Sequence, residues 1–377
     1  MRHRLVQRIL ASDLLFVCKS WTSWLLVADV LFVAPLLRRP LQITWHTDHL
    51  ETSPMTFAQP LLENWTPEQA DRMENAIFVA QHRLHDLPLF GDEQLIELIE
   101  RHPRNDLGIN TMGTDPECRD DWQEGRAGNL TAEELFTAGQ RGRVWLNLRR
   151  VMDHHPEYAQ LVDSLYEEME SVCPGLHTFN RSANLLISSP DAIVYYHLDC
   201  PINMLWHLRG TKRVWAYPLE SGIVSDETIE GVLCGEKSEE LEFQSAWDDL
   251  ATVYDLEPGE MVTWPQHTPH RVVNTGGLNV SLSTEHMTKR GARRNNVFLA
   301  NRHFRQLWAG DFRSTELTGW QPALKELALR VARRIPAFAP VPPQGFEYPV
   351  TFEVDLDAPL CVRALKTSAE REPIAAG

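Results

Sequence analysis

Residues 193–218 read IVYYHLDCPINMLWHLRGTKRVWAYP, and this stretch decides the fold. β-Branched and aromatic side chains recur here at a period near two, and Pro201 and Gly210 cut the stretch into three short runs. The same texture extends in both directions. NLLIS at 184–188 precedes it; EMVTW at 260–264, HRVVN at 270–274 and NVSLST at 279–284 follow it. Pro, Gly, Asp and Asn separate the runs. Seven such runs between residue 178 and about residue 288 predict an antiparallel barrel or sandwich, interrupted by a more polar insert from Ser221 to Thr252.

Outside this region the period is helical. Thr66-Pro67-Glu68 starts a helix whose apolar Met73, Ala76, Ile77 and Ala80 follow at helical spacing. Asp92 to Arg101 is a second helix, closed by Pro103, and Thr131 with Glu134 forms a capping box before a third. Pro156 opens a longer helix with Tyr158, Leu161, Val162, Leu165, Tyr166 and Met169 on one face, ended by Pro174-Gly175. Residues 104–128, rich in Gly, Asp and Asn, read as a long loop. Helix returns at Arg293 to Trp308 and at Gln321 to Arg334. The proline-rich stretch from Pro336 to Pro349 is a linker, and Thr351 to Val354 is a last strand. The expected division is an extension at 1–54, a helical region at 55–177, the β domain at 178–290, and C-terminal helices with a tail at 291–377.

The chain has 377 residues and a formal charge of -16, from 36 Lys and Arg against 52 Asp and Glu. That balance argues against general nucleic-acid binding, which needs a cationic surface. None of the six cysteines forms a C-x-x-C pair, which argues against a zinc ribbon and fits a reducing, cytoplasmic compartment. The apolar stretch from Trp21 to Leu37 is at the lower length limit for a membrane span and contains Asp29 and Pro35. It is read as an extension without a membrane role, or as sequence upstream of a start at Met55. Residues 1–54 carry six basic and four acidic side chains, whereas the remainder carries 30 and 48.

Within the quoted stretch, His197 and Asp199 stand two residues apart. On a strand both would project to one face and could offer an imidazole nitrogen and a carboxylate oxygen to one ion. Leu256-Glu257-Pro258-Gly259-Glu260 is a turn entering a strand, and it leads to Trp264-Pro265-Gln266-His267-Thr268-Pro269-His270. A histidine from there, His267 or His270, would complete a facial set of two histidines and one carboxylate. That set leaves adjacent coordination positions open and suits non-haem Fe(II), although zinc enzymes use similar ligands. Lys212 follows in the next run but one. Inside a barrel it would need an anion; at a strand start it would be a surface lysine.

The stretch from His197 to Pro218 resembles the core of the JmjC and cupin-like Fe(II)/2-oxoglutarate oxygenases, nearest in pattern to the asparaginyl-hydroxylase type. His197, Asp199, Asn203, Gly210, Lys212, Arg213 and Pro218 stand in the places of that family's motif, and Pro258 to His270 resembles its second block. The resemblance covers roughly residues 178–290. It implies a mainly β core with flanking helices, a double-stranded β-helix of cupin or jelly-roll type. It implies His197, Asp199 and His270 as catalytic Fe(II) ligands, with the spacing selecting His270 over His267. Lys212 would pair with the distal carboxylate of 2-oxoglutarate, Asn203 would line the cofactor pocket, and His207 would be a packing or substrate-side residue. Val194 stands where the family often has a threonine; Tyr195, Tyr196, Ser281 and Ser283 are the hydroxyls available to replace it, so Tyr196 and Ser283 join the expected cofactor-binding set. Thr268-Pro269 replaces an aromatic pair. The flanking helices would shape the substrate cleft or build a homodimer interface.

The expected function is therefore a dioxygenase that hydroxylates a protein or peptide side chain or a small molecule. A non-catalytic cupin-like metal-binding or sensing protein, and a zinc hydrolase on the same ligands, are the alternatives.

Overall fold

The computed structural model describes residues 57, 59–308, 310–336, 338 and 348–365. The extension at 1–54, most of the linker and the end of the tail lie outside the described residues. Among the described residues thirteen strands form one sheet: β1 (Leu62–Glu63), β2 (Phe78–His82), β3 (Leu107–Thr111), β4 (Gln123–Arg126), β5 (Trp145–Leu148), β6 (Phe179–Ser188), β7 (Ile193–His197), β8 (Ile202–Ala216), β9 (Thr252–Leu256), β10 (Glu260–Thr263), β11 (His270–Met287), β12 (Val350–Val354) and β13 (Val362–Ala364).

The pairing folds the middle of this sheet into two layers. The first half of β8 pairs with β10 and with the second half of β11, which pairs in turn with β6. The second half of β8 pairs with β9 and with the first half of β11, which pairs with β7. Six chain segments thus make eight strand positions, four in each layer, and the core is a double-stranded β-helix. Both long strands turn from one layer to the other at a shared corner. Gly210 sits there with φ +76, and a β-carbon on it would lie 2.7 Å from the Leu278 carbonyl oxygen. Only glycine fits that approach. The register of β11 against β8 shifts at the same place, between Asn274 and Ser281.

Three apolar clusters position the barrel. Leu205, Val214, Leu256, Val262, Trp264 and Val272 fill the space between the layers. The outer face of the layer holding β6 carries Leu185, Ile187, Met204, Trp206 and Leu282. It is covered by the helices α1 (Pro67–Arg72), α2 (Asp92–Arg101), α3 (Ala132–Arg141), α4 (Val151–His154) and α5 (Pro156–Val172). α5 buries the six side chains expected of it, and the capping box at Thr131 forms. The outer face of the other layer is covered by the polar insert. Within the insert, α6 (Asp226–Leu233) brings Ile229 and Val232 against Tyr196, Tyr217 and Phe243. α7 (Lys289–Leu307) then runs back across the end of the barrel, with α8 (Trp320–Ala332) beside it.

Two expectations need correction. The first helix stops at Arg72, and Phe78 to His82 form β2, between β1 and β10. The helical spacing of Ile77 and Ala80 is coincidental; alternate residues of a strand bury Phe78, Ala80 and His82 instead. The loop expected at 104–128 contains β3 and β4, which carry the barrel sheet outward through β5 to β12 and β13. β3 is buried along its whole length, so it shows no alternation, and Gly and Asn within it mask its strand character.

Candidate metal centre

β7 ends in an irregularity that aims its last residue. His270 is the cross-strand partner of His197, and Val272 that of Val194; β7 therefore uses three steps where β11 uses two. The extra residue lies at Tyr195-Tyr196, so ordinary alternation is broken there. Val194 packs with the cluster between the layers. Tyr195 turns to Met112, and Tyr196 turns to Tyr217 and Phe243. His197 comes back toward His270, with ring centroids 4.1 Å apart. Asp199 lies past the end of the strand, not on it as expected. There the insert holds the chain: the Leu198 N–H donates to the Glu239 carbonyl at 3.2 Å, and the Leu241 N–H to the Tyr196 carbonyl at 2.9 Å.

One donor atom each from His197, Asp199 and His270 lies within 4.8 Å of the other two. His270 Nε2 is 3.6 Å from Asp199 Oδ2, and His197 Nε2 is 4.0 Å from Asp199 Oδ1. The opposite nitrogens are committed. His197 Nδ1–H donates to the Tyr195 carbonyl at 2.7 Å, and His270 Nδ1–H to the Thr268 carbonyl at 3.1 Å. These contacts orient both rings so that Nε2 of each faces one point, as in metal-binding histidines. The Trp264 ring, 4.0 Å from that of His270, backs the site. Asp199 Oδ2 is buried and has no hydrogen-bond partner among the described residues.

Burial raises the Asp199 pKa, against the pull of His197 and Asn203. Burial, and then the Asp199 charge, raise Glu285 to about 7; Glu239 is pushed up by burial, Asp199 and Glu285. Asp199 is buried and Glu239 and Glu285 are half-buried, and carboxyl groups so placed favour a bound cation or protons over three separate charges. Two imidazole nitrogens and a carboxylate, facing one point beside an unpartnered oxygen, fit a divalent transition metal.

Behind the three donors, the space between the layers is polar at both ends. Asn203 and Ser283 hydrogen-bond each other, with Asn203 Nδ2 donating to Ser283 Oγ at 3.1 Å. Further along, His207 Nε2–H donates to the Gly210 carbonyl at 2.9 Å, and its Nδ1 accepts from Ser281 Oγ at 3.1 Å. Burial and then the charge of nearby Lys212 lower the His207 pKa to about 3. Lys212 is 5% exposed and stands between Leu256 and Asn274 on its two neighbouring strands. No ion pair or hydrogen bond to it occurs among the described residues, and burial lowers its pKa to about 7. A buried ammonium group with no counter-charge is a place for an anion.

The other sequence candidates are placed elsewhere. Tyr196 differs from expectation: its ring belongs to the aromatic cluster under the insert, 5.0 Å from Tyr217, because the extra residue in β7 turns it outward. The Tyr195 hydroxyl accepts from the Gly113 N–H at 3.1 Å, and Ser281 is held by His207. Ser283 is the remaining hydroxyl of that set inside the barrel. His267 is outside the donor group; its Nε2–H reaches Asn295 Oδ1 at 2.7 Å. Sequence reading missed Glu239, Glu285 and Asn295. The insert was visible only as polar residues without periodicity, and nothing in its composition placed Glu239 beside Asp199.

No family model matches this chain, and no curated protein matches it. Solved structures do. The X-ray structure of Escherichia coli ycfD is 16% identical over 74% of this chain and 70% of that one, with a TM-score of 0.44. The E. coli ribosomal oxygenase YcfD is 15% identical over 74% and 69%, with a TM-score of 0.43. The same values hold for YcfD in complex with cobalt and 2-oxoglutarate.

Proposed function

We propose that this protein is an Fe(II)/2-oxoglutarate-dependent dioxygenase, with His197, Asp199 and His270 as the metal ligands and Lys212 as the anchor of the cosubstrate. One observation carries the reading: the interior that holds the three convergent donors also holds a buried, uncompensated lysine. A metal alone gives that lysine no role. A dicarboxylate that also reaches the metal does. Fe(II) with 2-oxoglutarate, when bound, supplies the oxidative chemistry, in which dioxygen is spent on converting 2-oxoglutarate to succinate and carbon dioxide and on hydroxylating a substrate C–H bond.

The chain's own residues bind, orient and exclude water. The carbonyls of Tyr195 and Thr268 take the Nδ1–H of the two histidines and turn Nε2 of each toward the metal position. Lys212 neutralises the far end of the dicarboxylate, with the Asn203–Ser283 pair as polar wall. Leu205, Val214, Val272 and Trp264 make the rest of the wall apolar, which keeps water from the reacting centre. The substrate is a protein or peptide side chain or a small molecule.

Absence of the family's hydroxyl at Val194 favours a second reading, a metal-holding module without turnover. Anaerobic addition of Fe(II) and 2-oxoglutarate is expected to give a visible charge-transfer band, and aerobic incubation to give succinate. His197→Ala and Asp199→Ala should lose both. A band without succinate, with or without candidate substrates, points to the second reading; no band in well-loaded protein overturns the first.

A further inference from the structure

Behind the candidate ligands, one carboxamide joins three segments. Asn295 lies in the second turn of α7. Its Oδ1 accepts from His267 Nε2–H at 2.7 Å and from Gln266 Nε2 at 2.9 Å. Its Nδ2 donates to the Cys200 carbonyl at 3.1 Å, an oxygen that also accepts from Gln266 Nε2 at 2.6 Å. The orientation of the amide is fixed, because reversing it would face a donor to two donors and an acceptor to a carbonyl.

The groups it ties together adjoin the metal ligands. Cys200 directly follows Asp199, and Gln266 and His267 lie four and three residues before His270. Asp199 is beyond the end of β7, and His270 is the first residue of β11, so neither strand ladder fixes the distance between these two ligands. His267 has φ +70, a left-handed conformation that residues other than glycine seldom adopt. Such a turn persists only where surroundings hold it, and here Asn295 holds the ring at one edge while Phe298 packs on it, 5.4 Å between centroids. His267 Nδ1 and Gln266 Oε1 are buried without partners among the described residues; Arg294 Nη1 donates to the Gln266 carbonyl at 3.4 Å, and Asn295 is the side chain that bonds the side chains of both residues.

We propose that Asn295 is a positioning residue for the metal centre: by clamping Cys200 to the 266–267 turn, it sets the separation of Asp199 from His270 and thereby the affinity and geometry of the bound ion. The proposal rests on the reading of His197, Asp199 and His270 as metal ligands.

Co(II) titration of the full chain, followed by calorimetry and by the visible ligand-field bands, tests both together and separately. Asp199→Ala tests the site. Asn295→Ala tests the clamp. Asn301→Ala is the control on the same helix: Asn301 is fully buried and, like the half-buried Asn295, hydrogen-bonded to a carbonyl, that of Ser314 at 3.1 Å, but away from the ligands. The expected result is tight Co(II) binding by the unmodified chain, loss in Asp199→Ala, about tenfold weaker binding with shifted bands in Asn295→Ala, and no change in Asn301→Ala. Asn295→Asp, which keeps the acceptor and removes the donor to Cys200, should show the same direction and serves if the alanine variant does not fold. Unchanged affinity and bands in the Asn295 variants, with binding lost in Asp199→Ala, overturn the clamp alone. Equal losses in Asn295→Ala and Asn301→Ala also overturn it, leaving a general role in the helix. If the unmodified chain binds no Co(II), the site reading falls and takes the clamp with it.

Discussion

Lys212 is the residue on which burial and chemistry are most tightly coupled. Without a ligand its pKa is lowered to about 7, so above neutrality the empty site holds a neutral amine. A dicarboxylate needs the ammonium form, so binding above pH 7 must take up a proton. Affinity for 2-oxoglutarate in Co(II)-loaded, anaerobic protein should therefore fall by up to about tenfold per pH unit above 7. Lys212→Gln should bind weakly and without this slope. Calorimetry at two pH values, in buffers of different ionisation heat, measures both affinity and proton uptake; a flat profile in the unmodified chain would remove Lys212 from the cosubstrate site. His197, Asp199 and Lys212 were legible as candidates because ligand chemistry restricts residue type and because strand periodicity puts Lys212 inside with Val214 and Ala216. The aim of His197 was not legible. It depends on one extra residue at Tyr195-Tyr196, which changes only pairing register and leaves no mark on composition.

Among the elements, the helices at Asp92–Arg101 and Pro156–Val172 were read almost to the residue, since local rules govern them, whereas the helix capped at Thr66 was read past its end at Arg72. β3, β4 and the insert were not, because their places depend on partners far away in sequence. The insert is fastened to α7 by charge: Glu230, 1% exposed, pairs with Arg305, and Arg302 pairs with Glu236. Arg305→Leu would leave the Glu230 carboxylate buried and unpaired, a change that costs about 3 kcal/mol in comparable cases. Glu230→Gln combined with Arg305→Leu should recover most of that loss. Thermal unfolding of the single and double variants checks this, and equal stability of Arg305→Leu and the unmodified chain would show that the pair does not hold the insert.

At the scale of the whole molecule, buried histidines set the response to acid. Burial is the first cause that lowers His82, His207, His267 and His286 to about 3 from an unfolded value of 6.5. The unfolded chain binds these protons first, so stability falls as pH drops below about 6.5. At pH 5 each histidine costs about 2 kcal/mol, roughly 8 together, against a usual total of about 5–15. Glu285, raised to about 7, works the other way and returns up to about 3 kcal/mol between pH 7 and its unfolded value of 4.5. The metal-free protein is therefore expected to unfold between about pH 6 and pH 4, read by tryptophan fluorescence; an undiminished melting temperature at pH 4 would contradict the buried neutral state of these rings.

The two long strands have a consequence of their own. β8 and β11 each serve in both layers and run side by side around the shared corner at Gly210. Neither layer can be peeled away while the other stays intact, because removing one breaks the chain continuity of both. The barrel is in this sense a single stitch rather than two cloths laid together: its edges can fray locally, but its interior, ligands and lysine included, is lost or kept as one cooperative unit.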